Sequence, residues 1–287
     1  MVDNSIRDQF AALLQKSGLP RLADISIRES ILEISINNPP HNYFNVELLE
    51  EVLLVQKMFA QAGEAKMLGV RGIIITGSGR SFSAGASLDM LGCLTEKKEQ
   101  ERVTHIMREI MTMIEESRIP VIAAINGICL GAGLELALAC HYRVCGERIH
   151  LGFPEINLDL MPGATGTQTL PRLIGRSRAQ YLLLSGKLIT AEDALRIGLV
   201  DIVVSKSEVV NAARGIAGDM CFKNEKAITY LLRVVTAGLR EPGEKSRALE
   251  SELFWELVRD KQARGGLSSD QIGINKGRGE GVNSEKD

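Results

Sequence analysis

The stretch VIAAINGICLGAGLELALAC, residues 121–140, decides how the chain is read. VIAAING is a short apolar run ending in Asn-Gly, the pattern of a buried strand entering a turn. Small residues then lead into LELALAC, a helix. A strand turning through glycines into a helix leaves unpaired N–H groups at the helix start, where the dipole favours negative charge. Ten of the eleven residues Leu130–Cys140 are small or apolar, and the other is Glu135. An ionised carboxylate is costly to bury without partners, and a helix apolar all round is usually interior. Glu135 therefore has a buried polar partner or a chemical task.

Upstream, VRGIIITGSGRSFSAGASLDM repeats the idea: a buried strand over Gly72–Thr76, then a loop of small residues from Gly77 to Ala86. A dinucleotide fingerprint would need glycine at position 82, where Phe82 stands. The GxSxG nucleophile elbow is also absent. Ala84, Gly85 and Ala86 lack bulk, so a ligand oxygen could approach their amides; a plain surface turn is the competing reading. Two such corners could aim two N–H donors at one carbonyl oxygen, forming an oxyanion hole. Downstream, LGFPEINLDLMPGATGTQ holds Glu155, 20 positions after Glu135. A helix–strand return of that length can bring both carboxylates into one pocket. Paired carboxylates in an apolar site suit general acid/base work, because burial and proximity separate their proton affinities. Glu155 taken alone reads as a solvated loop acid.

The rest of the chain alternates strands and helices, which indicates an α/β class. Residues 1–20 read as a helical lead-in, with Phe10, Leu13 and Leu14 at helical spacing. ISIRESILEISI (25–36) reads as a hairpin and NNPPHNYF (37–44) as a turn-rich loop. An amphipathic helix starts behind the candidate cap Asn45, with Leu48, Leu49, Val52, Leu53, Met58 and Phe59 on one face. A second spans 96–118, with Val103, Ile106, Met107, Ile110 and Met113 or Ile114 inward. The stretch 165–186 reads as helix-rich with a break at Pro171. Thr190 caps a further helix that ends before Gly198. The expected organisation is a core over 1–206, a helical region over 207–264 and a polar, Gly-rich mobile tail over 265–287.

Composition narrows the function classes. With 287 residues and 45% hydrophobic content the chain can bury a sizeable core, built mainly from aliphatic residues because aromatics make up only 4%. A net charge of −2 gives no reason to expect nucleic acid or an anionic membrane as partner. No apolar run is long enough to cross a bilayer. The opening MVDNSIRDQF carries acids and no hydrophobic signal core, so the expected location is the cytoplasm. The five cysteines show no CxxC pair, and the three in apolar runs read as reduced core residues. His41, His105, His141 and His150 lack metal-ligand spacing, so no metal site is expected.

At SFSAGASLDM, PVIAAINGICLGAGLELALAC, FPEINLDLMPGATGTQTLPRLIG and LSGKLITAEDALRIGLVD the sequence resembles the crotonase (enoyl-CoA hydratase/isomerase) superfamily, over about 25–206. The resemblance implies a spiral of ββα units with a helical C-terminal region, packed as trimers or dimers of trimers. It places the oxyanion amides at Ala86 and Ala132 and the catalytic glutamates at Glu135 and Glu155. It places Gly163 beside the reacting water, and Ala84 and Ala86–Asp89, including Ser87 and Leu88, along the acyl-CoA thioester and pantetheine arm. The implied activity is reversible hydration of a 2-enoyl-CoA, with no cofactor beyond the coenzyme A of the substrate. Other acyl-CoA reactions stay open: double-bond isomerisation, hydration of a cyclic dienoyl-CoA, C–C cleavage, or binding without turnover. Three departures stand out: Ser87 where the family commonly has Asp, and Thr165 and Ala132 where glycine is common. The family's usual C-terminal ending is not evident, which leaves the contacts to the adenine end of CoA open.

Overall fold

A computed structural model of the chain describes residues 22–61, 69–264 and 266. The expected lead-in helix over 1–20, the tail over 265–287 apart from Gly266, and the side chains of Met58 and Phe59 lie outside the described residues.

The hairpin forms as read. Strands β1 (Ala23–Arg28) and β2 (Ile31–Ile36) pair antiparallel from Ala23↔Ile36 to Arg28↔Ile31. Glu29 and Ser30, at φ 47° and 65°, make the left-handed two-residue turn whose twist suits a hairpin. Helix α1 (Val46–Gln61) follows, and Asn45 caps it by accepting a hydrogen bond from the Leu48 amide at 3.0 Å.

From there the chain advances in repeated steps of strand, strand and helix. The first strand of each step joins one sheet and the second joins another. The steps begin with β3 (Gly72–Gly77) and β4 (Ser81–Ser83), then β5 (Val121–Ile125) and β6 (Ile128–Leu130), then β7 (Tyr142–Gly146) and β8 (His150–Gly152). The larger sheet runs β1-β2-β3-β5-β7-β10, parallel from β2 onward, with β10 at Ile202–Val204. The smaller runs β4-β6-β8-β9, parallel except that β9 (Ile189–Thr190) is antiparallel to β8. This is the expected α/β spiral of ββα units. Every residue of β5 is buried, as a parallel strand covered on both faces should be.

Helices fill the gaps between steps. Short α2 (Leu88–Cys93) and long α3 (Lys97–Glu115) follow β4, and α3 buries Val103, Ile106, Met107, Ile110, Met111 and Ile114. Helix α4 (Ala132–Ala139) follows β6 and is buried along its whole length. A 3-10 turn over Pro154–Leu158 follows β8, then α5 (Gly166–Ile174) and α6 (Arg176–Ser185).

One expectation fails here: α5 runs through Pro171 and ends at Gly175, which has φ 82°. Proline forfeits one backbone hydrogen bond, while Leu170 and Ile174 on either side are buried and hold the helix in place. Helix α7 (Ala191–Ile197) has the expected cap: Thr190 Oγ1 accepts from the Asp193 amide, and left-handed Gly198 closes the helix.

Helices α8 (Val209–Cys221), α9 (Glu225–Arg240) and α10 (Glu244–Ala263) are the last elements among the described residues. The buried face of α8, with Val209, Ala213, Ala217 and Cys221, packs on Ile74, Ile122 and Val144 of the larger sheet. The chain divides into two compact units between Thr236 and Ala237. In the second, α10 stacks Phe254 edge-on against Trp255.

Candidate active site

Strands β4, β6 and β8 are parallel neighbours, with Cys129 of β6 opposite both Ser83 and Leu151. Their carboxyl ends therefore lie side by side, the usual place for a ligand in parallel-sheet folds. Each end delivers a candidate residue within three positions. Ala86 follows Ser83, Ala132 follows Leu130, and Glu155 follows Gly152. Glu135 stands on the first turn of α4, behind Ala132.

Glu135 is only 1% exposed. Its partners are the amides of Ala164, Thr165 and Gly166, which all donate to Oε1, at 3.0, 2.9 and 2.6 Å. These are the otherwise unpaired N–H groups at the start of α5, so one helix terminus holds the carboxylate of another helix. None of the three reaches Oε2. Burial pushes the carboxyl up from its ordinary value, and the three amides oppose the rise. The approach is close: a Cβ on Gly166 would lie 3.0 Å from Cγ and Oε1 of Glu135.

Glu155 has a different environment. Its Oε2 is buried with no hydrogen-bond partner. Burial is the main cause that lifts its carboxyl to about 7; its own backbone amide opposes the rise and the Glu135 charge adds to it. Oε1 lies against Gly131, where a Cβ would stand only 2.7 Å away. Gly131, at φ 52° and ψ −126°, turns β6 into α4 in a conformation that suits glycine alone. Glu155 and Glu135 thus flank the same strand–helix corner.

The two backbone corners also meet. Gly85 has φ 96°, and a Cβ on it would lie 3.1 Å from the Leu130 carbonyl oxygen and 3.4 Å from the Ala132 nitrogen. Phe44 bridges the loop as a one-residue strand: its amide donates to the Gly85 carbonyl at 2.8 Å, and its carbonyl accepts from the Ser87 amide at 2.8 Å. In a parallel bridge of this kind the N–H of the central residue, Ala86, points to the opposite side.

The remaining expected residues lie around this corner. The Ala84 amide donates to the His41 carbonyl at 3.0 Å. Ser87 caps α2 by accepting from the Met90 amide, a role that Asp could equally fill, which accounts for the substitution. Leu88 and Asp89 are exposed on the first turn of α2. Gly163 has open space where a side chain would be. Thr165 supplies an amide to Glu135, while its hydroxyl is buried with no partner. Two residues not foreseen, Asn42 and Ser83, are buried at the base of the Ala86 loop. The signal for Asn42 was slight: asparagine in a turn-rich loop, a residue that tolerates the left-handed conformation. All five cysteines are free. Among the described residues no group of three or more His, Cys, Asp or Glu could hold a metal ion, and no helix is long and apolar enough to cross a membrane.

The family model described as enoyl-CoA hydratase/isomerase matches residues 26–270. The chain belongs to the enoyl-CoA hydratase/isomerase family. A probable enoyl-CoA hydratase of Bacillus subtilis is 35% identical over 247 residues, covering 85% of this chain and 93% of the relative. The alpha subunit of a fatty acid oxidation complex from Shewanella loihica is 46% identical over 148 residues, which is 50% of this chain and 21% of that protein. The crystal structure of an enoyl-CoA hydratase from Bacillus anthracis superposes with a TM-score of 0.77 at 32% identity, covering 85% of this chain and 95% of that one. The fold is therefore that of the crotonase superfamily, and the chain is an enzyme of crotonase-type acyl-CoA chemistry.

Proposed function

We propose that this family member is an enoyl-CoA hydratase, adding water reversibly across the 2,3 double bond of a 2-enoyl-CoA. The observation that carries the reading is the unequal treatment of two carboxylates at one corner. Glu135 receives three backbone donors on one oxygen, and Glu155 has a buried oxygen with none. Donors stabilise the ionised form and desolvation the neutral form. When the pair shares one proton, the proton rests on Glu155. Glu135 is then the base and Glu155 the acid.

In the proposed reaction the amides of Ala86 and Ala132 donate to the thioester oxygen. Glu135 takes a proton from water as the water oxygen bonds to C3. The π electrons of the double bond move into the enolate, whose negative oxygen the two amides hold, and Glu155 gives its proton to C2. One water is consumed, and proton exchange with solvent resets the pair. One oxyanion donor typically contributes about 10²–10³ in rate, and a positioned acid or base about 10²–10⁴. Gly163, Ala84 and the segment Ala86–Asp89 are the proposed contacts of the water and the thioester arm. A homotrimer or dimer of trimers and a cytoplasmic location are proposed with it, supported by the family likeness and by the sequence.

The test is the absorbance of the conjugated thioester of crotonyl-CoA, with chromatography of the product. Loss of the band with formation of 3-hydroxybutanoyl-CoA is expected, with at least about a hundredfold loss of turnover in both Glu135→Gln and Glu155→Gln. A shifted double bond in the product would replace hydration by isomerisation. Near-normal rates in both variants would overturn the assignment of the pair.

A further inference from the structure

The Ala86 loop, built from small residues, needs a brace if it is to hold one amide in register with another on a different element. That brace is visible at its base. Asn42 is 2% exposed and sits at φ 57°, a left-handed conformation that asparagine tolerates. Its Nδ2 donates to the carbonyls of Ser78 at 3.0 Å and Ser81 at 2.8 Å, with Phe82 O at 3.4 Å. Its Oδ1 accepts from the Asn38 amide at 3.0 Å, and its own amide donates to Asn38 O at 2.7 Å. Its carbonyl accepts from the Ser83 hydroxyl at 2.7 Å.

Ser83, fully buried, continues the chain of bonds. Its Oγ accepts from the Gly85 amide at 3.2 Å while donating to Asn42. The same residue presses on the start of α4. A Cβ on Gly133 would come within 2.5 Å of Ser83 O, 2.7 Å of its Cβ and 2.9 Å of its Oγ. One hydroxyl therefore ties Gly85, which precedes Ala86, to Asn42, while the residue that bears it packs against the glycine that follows Ala132.

We propose that Ser83, anchored by Asn42, is a positioning residue that sets the Ala86 amide against the Ala132 amide and so fixes the span of the oxyanion hole. The inference rests on the acyl-CoA reading of the site given above. Neither residue touches the reacting atoms. A donor displaced by about 1 Å can cost about a hundredfold in rate, so the hydroxyl acts through the geometry of Gly85 and Ala86.

The test uses butanoyl-CoA labelled with carbon-13 at the thioester carbon. It lacks the double bond and cannot be hydrated, so the infrared carbonyl band of the bound probe reports polarisation without turnover. Wild type is expected to shift the band to lower frequency. Ser83→Ala should lose at least about half of that shift and at least about tenfold in kcat, with KM for crotonyl-CoA within about threefold. Ser83→Cys, which keeps the volume near the original but weakens the hydrogen bonds, should fall between. A residue that only stabilised the fold would lower the melting temperature and leave the shift per folded molecule intact. A full shift in Ser83→Ala overturns the proposal; should that variant fail to fold, a full shift in Ser83→Cys does so. A wild-type enzyme that binds the probe without any shift removes the oxyanion hole and the proposal together. Failure to bind acyl-CoA at all would instead defeat the functional reading on which it stands.

Discussion

Glu135 and Glu155 are the same residue type at one corner, and their surroundings separate them. The Glu135 carboxylate is held by amides 29 to 31 positions further along the chain, while Glu155 keeps an oxygen with no donor. This difference predicts a pH profile. In the proposed reaction the pair works with one proton, carried by Glu155, whose carboxyl is lifted to about 7. As pH rises through 7 that proton is lost, so kcat/KM for hydration should fall about tenfold per pH unit on the alkaline side. The check is the profile of kcat/KM between pH 5 and 9; a flat alkaline side would take the acid role away from Glu155. Glu135 was legible in the sequence because a single carboxylate stood among apolar residues. Its three amide partners were not, since nothing local announces a contact across some 30 positions. Asn42 and Ser83 were invisible for the same reason: they lie 41 positions apart and meet only when β4 folds beside the loop of residues 37–44.

The elements most legible in the sequence were those whose ends carry their own chemistry. Asn45, Thr190 and Gly198 mark helix boundaries because a cap is a local hydrogen bond or a local left-handed residue. Pro171 misled because its penalty is local, while the buried Leu170 and Ile174 that outweigh it draw on partners elsewhere. Long-range ties between elements were likewise beyond reach. The clearest is the fork from Arg214 on α8 to Glu33 on β2, with Nε at 2.6 Å from Oε1 and Nη2 at 2.8 Å from Oε2. Glu33 is 12% and Arg214 34% exposed, so water screens the pair only in part. Arg214→Ala is expected to cost about 1 kcal/mol, a fall of roughly 2–4 °C in melting temperature for a domain of this size. The pair ties α8 to the larger sheet, whereas β4, β6 and β8 belong to the smaller, so kcat and KM should be unchanged. Calorimetry beside the crotonyl-CoA assay checks both halves. A large loss of activity at an unchanged melting temperature would contradict the picture of α8 as a support for the larger sheet.

At the scale of the molecule, splitting the pairs β3/β4, β5/β6 and β7/β8 between two sheets brings three separate motifs to one place. The fold class followed from alternating strands and helices, and the spiral from the family resemblance. Periodicity could not say which strands share a sheet, because β4, β6 and β8 are only three residues each and owe their pairing to neighbours far along the chain. The arrangement has a thermodynamic consequence for the whole chain. Glu155 is lifted from 4.5 to about 7 in the folded state, so between those values the native state binds more protons than the unfolded one. Stability contributed by this group therefore falls as pH rises through that window, and the destabilisation is complete above it. Glu155→Gln removes the titration. The variant should melt above wild type at pH 8 and close to it at pH 5, and subtracting the two curves cancels the titrating groups that do not interact with Glu155, leaving Glu155 and its coupling to Glu135. Partial exposure of the side chain reduces the size of the gap through screening, but its sign and its growth with pH are fixed. A difference that stays constant from pH 5 to 8 would mean that Glu155 is ionised throughout in the folded enzyme, and that its unpaired oxygen finds a donor in solution.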